Sequence, residues 1–63
     1  MNRVREHRRR LLMTQEQLAR AASVSLRTIQ SVEHGLRCRM RTKRNILLAL
    51  GLPFDEKSEV FPD

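Results

Sequence analysis

Apolar residues recur along this chain at three- and four-residue intervals, broken by short polar stretches, so it reads as a succession of short helices. Val4, His7, Arg8 and Leu11 fall on one side of a helix from about Arg3 to Leu12, leaving Arg3, Arg5, Glu6, Arg9 and Arg10 in water. Thr14 followed by Gln17 has capping-box spacing and predicts a second helix starting at Gln15. Leu18, Ala19 and Ala22 form its inner stripe, and the two alanines let another helix come close. Ser23, Val24 and Ser25 then interrupt the pattern. Ser25 is placed to cap a third helix, Leu26 to His34, with Gly35 as its left-handed stop. Ile29 and Val32 define the inward side of that helix, with Val24 plugging the turn beneath them. Arg27, Gln30, Ser31 and His34 point outward, and Leu26 sits on the flank.

Thr42 is the expected cap of a fourth helix ending at Gly51, with Ile46, Leu47 and Leu50 inside and the methylene stem of Lys43 alongside. Leu48 points the opposite way and forms a second apolar strip with Leu52. That strip either receives Phe54, Val60 and Phe61 from the tail or stays exposed as a partner surface. Pro53 and Pro62 bracket one last helical turn, about Asp55 to Glu59. The expectation is a single all-α domain over residues 1–63, four helices plus a short fifth, with residues 14–35 forming a bihelical unit.

Sixty-three residues bury only about 60% of the surface of the unfolded chain, too little for a deep catalytic pocket. Charge adds a direction. Residues 1–51 hold twelve Lys and Arg against three Glu, a balance of +9, whereas the last twelve residues hold one Lys and four acids. A basic body of this kind gathers around polyanions, with the acidic tail turned away from them. The outward face of the third helix carries long hydrogen-bonding side chains and no acid, which suits a negatively lined groove that displays donors and acceptors.

Other chemistries find little support. No Ser/His/Asp set, paired carboxylates or phosphate-binding loop occurs, so no catalytic residue and no cofactor or small-molecule ligand is expected. Cys38 with His7 and His34 has no metal-ligand spacing, and a single cysteine excludes an internal disulfide, which points to a reducing interior. The flanking Arg37 and Arg39 would lower the thiol pKa of Cys38 and make it redox-sensitive, but an inert small residue is the favoured reading. Leu11, Leu12 and Met13 are too short an apolar run for a signal-peptide core, and no membrane span is present. Arg8, Arg9 and Arg10 read as a solvated helix face before a nuclear signal or a membrane-surface helix.

The stretch TQEQLARAASVSLRTIQSVEHG, Thr14 to Gly35, resembles the helix-turn-helix of the Cro and phage-repressor (Xre-type) DNA-binding family. The resemblance rests on Thr14-Gln15-Glu16-x-Leu18-Ala19, Val24-Ser25, Thr28-Ile29, Val32-Glu33-x-Gly35, Ile46 and Ala49-Leu50-Gly51. Three positions depart from it: Ser23 and Leu12 stand where the family often has Gly, and His7 where an apolar residue is usual, which makes it a histidine at the core edge.

The resemblance implies a compact phage-repressor-like bundle that binds double-stranded DNA sequence-specifically as a transcriptional repressor, with Leu26 to His34 in the major groove. The implied base readers are Arg27, Gln30 and Ser31, with Leu26 meeting a thymine methyl. Gln15, Ser25 and Thr28 match family positions that hold the DNA backbone. His34 stands at the end of the reading face within reach of a phosphate, and Arg37, Arg39 and Arg41 lie on a connection that runs beside phosphates. The family also pairs an acid at the position of Glu33 with an arginine at that of Arg8, implying a clamp between the first and third helices. A reading helix this short reaches few base pairs, so a homodimer on a palindromic operator is expected, through Leu48, Leu52 and Phe54. Such a protein works in the cytoplasm, at the nucleoid of a bacterial cell. Two other classes stay open: a protein-interaction module, such as the antitoxin of a toxin pair gripping its partner with Phe54, Val60 and Phe61, and a cationic membrane-surface peptide.

Overall fold

The computed structural model describes residues 2–62. It contains α1 (Val4–Arg10), α2 (Gln15–Ala21), α3 (Leu26–Glu33) and α4 (Met40–Ala49). A 3₁₀ turn, Phe54–Glu56, then runs into α5 (Lys57–Val60). No strand occurs among the described residues. Asp63, counted in the acidic tail, lies outside them.

Local chemistry fixes the starts of the two central helices. Thr14 accepts from the Gln17 amide at 3.0 Å while Gln17 Oε1 accepts from the Thr14 amide at 2.8 Å, closing a capping box on α2. The Ser25 hydroxyl accepts from the Thr28 amide at 3.1 Å and caps α3. At the head of α1, Asn2 bonds the Val4 amide through Oδ1 and donates through Nδ2 to the Val32 carbonyl at 2.7 Å. It thereby ties the entry of α1 to the end of α3.

α1 to α4 all terminate in one device, in which the chain turns through a left-handed residue and two amides return to the last turn. After α3 and α4 that residue is Gly35 (φ 87°) and Gly51 (φ 75°). After α1 and α2 it is Leu12 and Ser23, both at φ 57°, the two positions where the related pattern carries Gly. The paired bonds are Leu12 to Arg9 and Met13 to Arg8, Ser23 to Arg20 and Val24 to Ala19, Gly35 to Val32 and Leu36 to Ser31, Gly51 to Leu48 and Leu52 to Leu47.

Several boundaries differ from the periodicity reading. α1 stops at Arg10, so Leu11 is not an inner residue and lies 51% exposed, while Met13 packs against the core instead. α4 starts at Met40 rather than after Thr42, because the extended backbone of Arg39 supplies the first turn with a carbonyl, taken by the Lys43 amide at 3.0 Å.

Val4, Leu18, Ala19, Ala22, Ile29, Val32, Ile46, Leu47, Leu50, Val60 and Phe61 form one buried cluster. Val60 and Phe61 are therefore core, not a free partner-gripping tail. The Lys43 ammonium lies 5.5 Å from the centre of the Phe61 ring, and the Arg44 guanidinium 5.2 Å from that of Phe54. The Arg3 amide donates to the Val60 carbonyl at 2.8 Å, and the Arg3 side chain pairs with Glu59, fastening the two ends together. Leu52 is half-buried against the core, which removes it from the expected exposed strip. Leu48 remains 65% exposed and Phe54 40%. No helix among the described residues is long and apolar enough to cross a membrane.

Candidate nucleic-acid interface

α3 is held at its C-terminal end by a buried carboxylate. Arg8 donates to Glu33 through Nε at 2.7 Å and Nη2 at 3.2 Å, and Gln15 Nε2 and Arg5 Nε reach Oε1 at 3.1 and 3.2 Å. The remaining Arg8 nitrogen donates to the Met13 carbonyl at 2.8 Å. Burial pushes the Glu33 carboxyl pKa up, but the hydrogen bonds from Arg8, Gln15 and Arg5 outweigh it and hold the carboxyl below its ordinary range. One anion thus links α1, the first residue of α2 and the last residue of α3, and this orients the outer face of α3. No buried side-chain nitrogen or oxygen among the described residues lacks a hydrogen-bond partner.

That face is a ridge between two open clefts. On one side Gln15, Arg27, Gln30, Ser31, His34 and Leu36 line the surface. On the other, Ser25, Arg27, Thr28, Ser31, Arg37, Arg39 and Thr42 do, with Cys38 and the edge of Val32. Arg27 and Ser31 border both, so they form the crest. The Ser25 and Thr28 hydroxyls share a hydrogen bond of 2.9 Å at the foot of the helix. Leu26 is exposed on the flank, and Arg41, in the first turn of α4, lines neither cleft. Gln15 reaches its cleft with one amide proton committed to Glu33. Leu36 and Thr42 line these clefts although periodicity does not flag them: Leu36 follows the Gly35 stop, and Thr42 reads as a cap.

Charge is partitioned across the molecule. Among the described residues the ion pairs are Arg3–Glu59, Arg5–Glu33, Arg8–Glu33 and Arg10–Glu6, all made by α1 and the residue before it. Arg27, Arg37, Arg39 and Arg41 have no acidic partner among the described residues. The basic groups on and after α3 are thus free for an external anion, whereas four of the five arginines on α1 and its cap are paired with three acids, Arg5 and Arg8 sharing Glu33.

Cys38 corrects the expectation from its neighbours. Burial raises its thiol pKa, and the charge that opposes this is Lys43 rather than the flanking arginines. It is a free, half-buried thiol. No group of His, Cys, Asp and Glu among the described residues is arranged to hold a metal ion.

The helix-turn-helix family model matches residues 4–57 of the chain. Nothing among curated proteins or solved structures gives a significant match.

Proposed function

The chain belongs to the Cro and phage-repressor (Xre-type) helix-turn-helix family of DNA-binding domains, and from that premise we propose that it is a sequence-specific transcriptional repressor. α3 enters the major groove of double-stranded DNA. Arg27 takes a guanine through its two-pronged guanidinium, Gln30 and Ser31 read the neighbouring base edges, and Leu26 meets a thymine methyl. Ser25, Thr28, Arg37 and Arg39 hold phosphates on one side of the ridge and Gln15 and His34 on the other, with Arg41 a more distant phosphate contact. The observation that carries the reading is the charge partition, because unpaired arginines surround α3 while all but Arg9 of those on α1 and its cap are paired with acids.

A single copy reaches too few base pairs for specificity in a genome, so two copies bind a palindromic operator with half-sites about 34 Å apart. The contact between them uses the outer line of α4, where Met40, Arg44 and Leu48 recur every four residues and the Phe54 ring lies against Arg44. It is reduced from the expected strip by the loss of Leu52 to the core.

Two substitutions test the assignment. Arg27→Ala should cost about 1–3 kcal/mol on a preferred duplex and blur preference at one base pair. Arg39→Ala should weaken all duplexes alike and lower the salt slope by about 1. Equal losses for Arg27→Ala on preferred and random DNA would sink the base-reading role.

A further inference from the structure

We infer that Leu36 is a specificity-determining residue that packs against the 5-methyl group of a thymine on the Gln15 side of the reading ridge. The inference rests on the DNA-binding reading above and deepens it by one contact.

Four chain positions follow a left-handed helix stop and send their amide back into the last turn: Met13, Val24, Leu36 and Leu52. All four are apolar, as this motif favours, because the side chain folds back against the helix it has just left. Met13, Val24 and Leu52 do so and pack on the core. Leu36 does not, and stands 61% exposed. Its exposure is not slackness of the backbone, since its amide donates to the Ser31 carbonyl at 3.1 Å and fixes it against a crest residue. The side chain lines the cleft that contains Gln15, Gln30 and His34, as its apolar member.

An apolar side chain carried on a fixed backbone among hydrogen-bonding ones suits a surface that mixes both. The major groove has one such apolar feature, the thymine methyl. Leu36 also borders a small pocket with Asn2, Arg37 and Phe61, but it lies outside the cleft that holds Arg39 and Thr28, which places its contact between the base readers and the strand that Gln15 approaches.

The test uses a duplex selected by the intact chain from a random pool, remade with uracil in place of each thymine in turn, which deletes one methyl at a time. Wild type should lose about four-fold at one thymine, the value of one buried methyl. Leu36→Ala should lose about as much on the parent duplex and nothing more when that thymine becomes uracil. Leu36→Met, which keeps an apolar tip, should restore the sensitivity. Thermal melts should match wild type for both variants, because the side chain is outside the core. Additive losses at every thymine would overturn the contact while leaving the DNA reading intact. Failure of the wild-type chain to enrich any sequence would overturn both.

Discussion

The four helix stops make an internal experiment on backbone strain. A side chain in the left-handed conformation costs roughly 1–2 kcal/mol, while replacing a residue by Gly gives back about 0.4–1 kcal/mol through the greater freedom of the unfolded chain. Leu12 is 90% exposed, so its side chain contributes almost no burial that Gly would forfeit, and Ser23 is exposed with both partner amides on the backbone. Leu12→Gly and Ser23→Gly should therefore each stabilise by about 0.5–1 kcal/mol. The sites sit on different turns and should add. For a domain of this size the double variant should melt roughly 5–10 °C higher. The reverse changes complete the argument: a Cβ at Gly35 or Gly51 meets nothing within 4 Å, so Gly35→Ala and Gly51→Ala isolate conformational strain and should destabilise by about the same amount. Urea melts followed by circular dichroism, with unchanged slope, give the values. Destabilisation by Leu12→Gly, or neutrality of Gly35→Ala, would refute the reasoning.

Arg8→Ala and Glu33→Ala should each destabilise by about 3 kcal/mol, since each strands a buried charge, and the double variant should cost clearly less than their sum; additivity in denaturant melts would show no interaction. Because the folded Glu33 carboxyl is held below its ordinary value of 4.5, its contribution is present above that pH and fades as pH falls toward the lowered folded value. Glu33→Gln should accordingly flatten that part of the acid limb, and an unaltered limb would place the effect elsewhere. Leu48→Asp should lower affinity for a two-half-site duplex while leaving helical content and single half-site binding intact; equal binding of both duplexes would remove α4 from the dimer contact.

Much of this fold is legible because its determinants are local. The Thr14–Gln17 box and the Ser25 cap are bonds between residues three apart, and Leu18, Ala19, Ala22, Ile29, Val32, Ile46, Leu47 and Leu50 follow helical period onto the core. What failed was set by backbone or distance. Leu11 lies outside the core because α1 ends two residues early, with the chain turning through Leu12, whose side chain gives no hint of positive φ. Arg39 starts α4 with backbone alone and no capping side chain. The open choice for the tail is decided by assembly: Val60 and Phe61 enter the core, while Phe54 stays outside beside Arg44. The sequence neighbours of Cys38 suggest a lowered thiol pKa, whereas burial raises it and Lys43 is the charge that opposes the rise. At the site, the outward face of α3 follows from period, but the two clefts, the place of Leu36 and the neutralisation of α1 exist only once the helices are assembled.

The central claim is that α3 reads base sequence from paired copies, and selection from a random pool of duplexes at stated salt tests it most directly. The account predicts an enriched palindrome with half-sites about one helical turn apart, bound by two chains, with preference lost at one position per half-site in Arg27→Ala. An unenriched pool bound with equal affinity throughout would contradict it.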